Sequence, residues 1–62
     1  MSNYWEERVS VNGTPHTITI VHKSKTVWVA IGDYMGERIE AKGSSAKNAA
    51  KYWVDAARFR SN

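Results

Sequence analysis

The sequence predicts an α+β fold: an antiparallel sheet of three to four strands in a meander, packed on one C-terminal helix (ββββα). Three observations carry this reading. Four short runs of alternating or β-branched residues follow one another, separated by turn residues. Asn12-Gly13, the strongest short hairpin signal, stands between the first two runs. The last stretch then changes to a 3.6-residue period and is dense in alanine.

In chain order, residues 4–11 (YWEERVSV) read as the first strand, and Pro15 behind the Asn-Gly turn suits a strand edge. Residues 16–23 (HTITIVHK) alternate, with Ile18 and Ile20 on one side and Thr17 and Thr19 on the other. Ser24-Lys25 is expected to turn the chain into residues 26–31 (TVWVAI), the most apolar run and a central strand. Gly32 to Gly36 reads as a loop with glycine at both ends, and residues 37–42 as a fourth strand. Gly43 and two serines then lead into a helix over residues 45–60, with Ser44 or Ser45 as its cap and Arg58 and Arg60 in its last turn.

That helix is the element on which the sheet must pack. Ala46, Ala49, Ala50, Trp53, Ala56 and Ala57 share one face, and Lys47, Lys51 and Arg58 share the opposite one. Trp53, the one large residue among alanines, is the expected knob of the helix–sheet interface. Alternation assigns Val9, Val11, Ile18, Ile20, Val27, Val29, Ile31, Ile39 and Ala41 to the sheet side under the helix. It assigns Arg8, Thr17, Thr19, Lys23, Thr26, Trp28, Arg38, Glu40 and Lys42 to the other side, which one helix cannot cover. A bulge that reverses the register would instead carry Trp28 inside.

The chain of 62 residues makes one small domain with a small core, for which homodimerisation is an option. It has no cysteine, as a reducing cytoplasm permits, and no apolar run long enough to span a membrane. Disorder is expected only at residues 1–3 and 61–62. Nine Lys and Arg against six Asp and Glu give +3 overall. The distribution is uneven: residues 41–62 carry five cations and only Asp55 as an acid, whereas residues 1–40 carry four cations and five acids. The positive field therefore comes from the helix and its entry, which suits a polyanion such as nucleic acid.

The chain resembles two known families. W-V-A-I-G-D (residues 28–33), G-E-R-I (36–39) and S-A-K-N-A-A-K-Y-W-V-D-A-A (45–57) resemble the plant ethylene-response-factor type of DNA-binding domain, whose architecture integrase arm-binding domains share. The resemblance implies a three-stranded sheet on one helix whose sheet face enters the DNA major groove, with Arg38 as a DNA contact. Glu40 stands where that family has a tryptophan. K-G-S-S-A-K-N-A-A-K (residues 42–51) is similar to the start of the second helix of the double-stranded-RNA-binding domain. That likeness implies phosphate contacts by Lys47 and Lys51.

Catalysis finds little in the sequence. His16 and His22 are about 20 Å apart if both lie on one strand, too far to share a metal, and read as exposed or edge residues. Glu6 and Glu7 point to opposite strand faces. No nucleophile has a base at recognisable spacing, and no glycine loop precedes a helix as a phosphate cradle would. The expectation is a protein without enzymatic activity, cofactor or metal. Its partner is nucleic acid, duplex DNA first, bound by Arg8, Trp28, Arg38, Lys42, Lys47 and Lys51. The alternative is a protein-interaction module, such as a small phage or mobile-element inhibitor or accessory protein, using the same aromatic face or Tyr34 and Met35.

Overall fold

The computed structural model describes residues 3–60; the expectation of disorder at Met1, Ser2, Ser61 and Asn62 lies outside them. Strands β1 (Tyr4–Val11), β2 (Thr14–Ser24), β3 (Val27–Tyr34) and β4 (Glu37–Gly43) form one antiparallel sheet in the order β1-β2-β3-β4. Helix α1 (Ala46–Arg60) lies across one face of it, mainly over β4 and β3. This is the ββββα meander. Asn3 is tied down, its carbonyl accepting a hydrogen bond from the His22 N–H (2.7 Å).

Two of the three turns are two-residue hairpin turns with both residues left-handed: Asn12 and Gly13 (φ 51° and 83°), and Met35 and Gly36 (φ 52° and 80°). That backbone matches the twist of the flanking strands. The second of these replaces the expected five-residue loop: β3 continues through Gly32 to Tyr34, and only Met35-Gly36 turns. The helix begins at Ser45, whose Oγ accepts from the Asn48 N–H (3.1 Å), while Ser44 Oγ accepts from Asn48 Nδ2 (3.1 Å).

The core lies between α1 and the sheet, and Trp53 is its centre. Trp53 is fully buried, and its indole N–H donates to the Ile39 carbonyl (3.1 Å), which satisfies the ring's only polar atom. Val11, Ile18, Ile20, Ala30 and Ile39 line the sheet side, and Ala49 and Ala57 the helix side. Alanines let the helix backbone come close. At Gly32 a Cβ would stand 2.8 Å from Ile18 Cγ2 and 3.0 Å from Trp53 Cζ2, so glycine is what admits the indole.

Strand β3 departs from the expected sides. Val27, Val29 and Ile31 face away from the helix, and Trp28, placed by alternation on the open face, is on the helix side. The cause is a bulge. Ser24 pairs with Val27 next to the Lys25-Thr26 turn, but His22 pairs with Trp28, which leaves Lys23 as an extra residue in β2. A one-residue slip exchanges the two faces of everything beyond it. Ile20 therefore pairs with Ala30 rather than with a valine or isoleucine. Trp28 packs on the margin of the core, its ring stacked on His22 (centroids 4.1 Å, planes 3° apart).

Candidate nucleic-acid interface

The structure divides the six candidate residues among three places. Lys47 and Lys51 lie on the exposed face of α1, one turn apart. Arg8, Arg38 and Lys42 lie on the open side of the sheet. Trp28 lies on neither surface; it is half-buried on the helix side, so the aromatic-and-cation platform expected of the sheet is not formed.

The open side of the sheet is electrically mixed. Arg8 on the β1 edge is two residues from Glu6, on the same face. On the β4 edge, Arg38 and Lys42 flank Glu40, and Arg38 Nε is 3.7 Å from Glu40 Oε1. Arg38 also stands across from Asp33 of β3. The β1 and β4 edges are three strand spacings apart, roughly 14 Å. Between them runs an aliphatic strip of Val21, Val29 and Ile31. Cations here alternate with acids, so the local field is weak.

The outer face of α1 is different. Its first turn contains no acid, and Lys47 and Lys51 make no ion pair among the described residues. At its far end Arg60 Nη1 pairs with Glu37 Oε2 of β4, which pins the last turn to the sheet. Two features of the lysines cost the isolated helix stability. Lys47 places a cation near the positive end of the helix dipole, and a like-charge pair four residues apart is repulsive by a few tenths of a kcal/mol. A bound anion relieves both. Lys42, two residues before Ser44, projects to the opposite side of the sheet and does not extend this array.

The histidines, expected as exposed or edge residues, are half-buried against aromatic rings. His16 is half-buried edge-on to Tyr34 (centroids 5.1 Å) and near Trp53 (6.4 Å). His22 is half-buried on Trp28, its Nε2 without a hydrogen-bond partner among the described residues. Tyr34, expected in a loop, is the last residue of β3 and packs edge-on to Trp53 (6.3 Å), whereas Met35 stays exposed. Sequence reasoning passed over Tyr52 and Phe59, both exposed on α1. Their seven-residue spacing, off the alanine face, was the available signal. No pocket opens among the described residues, so what they offer a partner is surface.

No family model matches the chain, and no curated protein or solved structure matches it either.

Proposed function

We propose that the chain binds duplex nucleic acid through its phosphate backbone, with Lys47 and Lys51 on α1 as the primary contacts. One observation carries the reading: two exposed lysines one turn apart, at an acid-free helix start, with no ion pair among the described residues. The cations of the sheet face have acids beside them; Lys47 has none within a helical turn, and Asp55, one turn beyond Lys51, makes no ion pair with it among the described residues. The likeness of residues 42–51 to a phosphate-binding helix start supports the same residues. Phosphate contacts hold and orient a protein without reading sequence, so the expected binding is sequence-tolerant. With Trp28 turned inward, base stacking on the sheet face is not part of the proposal.

Fluorescence anisotropy with random-sequence duplex DNA and duplex RNA, over a series of salt concentrations, tests this. Affinity should fall steeply with salt, and Lys47→Ala and Lys51→Ala should each lower the salt slope by about one unit. Absence of binding to either duplex at low salt would overturn it. The second reading, a protein-interaction module, rests on Tyr52 and Phe59, 50% and 81% exposed on the same helix. Tyrosine and phenylalanine on a surface are the kind of anchor that protein interfaces use.

A further inference from the structure

We infer that the open side of the sheet is a self-association surface, on which a second copy of this chain packs face to face with its strands reversed. This inference is independent of the helix lysines. Two cross-strand rows form the centre of that side. One reads Tyr4–Val21–Val29–Lys42 and the next reads Glu6–Thr19–Ile31–Glu40. Each places an aliphatic residue in the middle and charge at the β4 edge. Val21 and Ile31 are half-buried on this side, and Val29 between them is already buried within the single copy, at 2% exposure.

A two-fold axis lying in the interface, perpendicular to the strands and between these rows, sets each row against the other row of the partner copy. Lys42 then meets the partner's Glu40, Val29 the partner's Ile31, Val21 the partner's Thr19, and Tyr4 the partner's Glu6. Every contact occurs twice, as an isologous interface requires. The pairs are an ion pair, an aliphatic contact, an aliphatic–threonine contact, and a phenol with a carboxylate acceptor. The competing axis, parallel to the strands, would set Glu6 against the partner's Glu40, which is like against like. Of these two axes, charge complementarity favours the one perpendicular to the strands.

The twist of packed sheets, about 30°, opens the corners but leaves rows nearest the axis in contact. Four strands about 4.8 Å apart, paired over about seven residues, give roughly 450 Å² of plan area per copy, below the roughly 600 Å² per partner of stable specific interfaces and in the range of weak, transient ones. The dimer is accordingly reversible, with a Kd on the order of 10–100 μM.

Sedimentation equilibrium of the chain without nucleic acid, at low salt and over a concentration series reaching several times that Kd, tests the inference. Glu40→Lys and Lys42→Glu each put like charges across the axis and should each raise the dimer Kd about tenfold or more. Both side chains are exposed, so the fold should survive, and thermal melting checks this. The double variant E40K/K42E restores opposite charges across the axis and should restore the dimer. Ile31→Lys should abolish it whichever charges stand at the edge. A chain that stays monomeric throughout, a dimer indifferent to the single exchanges, or a double variant that is not rescued would each overturn the inference. Because Lys47 and Lys51 are untouched, none of these outcomes bears on duplex binding.

Discussion

Strand β3 shows the two sides of the sheet best, because it supplies both. Towards the helix it presents Ala30 and Gly32; away from it, Val29 and Ile31. The larger aliphatic residues thus face away from the core, the reverse of what apolar patterning alone suggests. The reason is Trp53. One indole fills the gap between a helix and sheet in close approach, so the strand beneath it must be small. On the open side no described helix or strand packs on the sheet, and β-branched residues are free to occupy the pleat. Directly under the indole, at Ala30 and Gly32, small volume is what the close approach requires, while the larger Trp28 and Tyr34 pack at its margin.

That contrast can be broken by substitution. The largest effect is expected on the helix side, where Trp53→Ala removes the whole knob and strips the Ile39 carbonyl of its donor. The cost should be about 3–5 kcal/mol, enough to unfold so small a domain at room temperature. Loss of cooperative melting by circular dichroism checks it; a melting temperature within a few degrees of the parent's would show that Trp53 is not the knob. Next comes Gly32→Ala, whose new methyl would meet Ile18 and Trp53 at 2.8 and 3.0 Å. A loss of about 1–3 kcal/mol is expected in urea denaturation.

The helix was the legible part of this chain. Its alanine face, its single tryptophan and its serine cap are all local signals, and the side chains at 46, 49, 50, 53, 56 and 57 turn inward as their period requires. Strand β1 was also legible to its ends. The orientation of β3 was not, for a physical reason. In T-V-W-V-A-I both parities are apolar, so alternation does not choose between them, and the choice falls to the bulged Lys23 on a neighbouring strand. Nor did Gly32 announce itself as a strand residue. Glycine signals a turn in most contexts, and its role here depends on a ring twenty-one residues away. Met35 in a left-handed conformation was hidden for a similar reason, since only the geometry of a two-residue hairpin demands it. Of the candidate site, Lys47 and Lys51 were readable from the helical period. The Arg8, Trp28, Arg38 and Lys42 group depended on the register of β3, and its aromatic member was lost with it.

The same two sides give the smallest expected change in stability and the sharpest functional contrast. Arg8→Ala/Arg38→Ala removes cations from the open side, and Lys47→Ala/Lys51→Ala removes them from the helix; all four residues are exposed, so both variants should fold like the parent. The measurement is the salt dependence of each variant's affinity for a random-sequence duplex, beside the parent's. The helix variant should lose about two units of slope, while the sheet variant keeps the parent's slope within about half a unit. The opposite pattern, with the sheet variant losing slope and the helix variant keeping it, would contradict phosphate binding on α1.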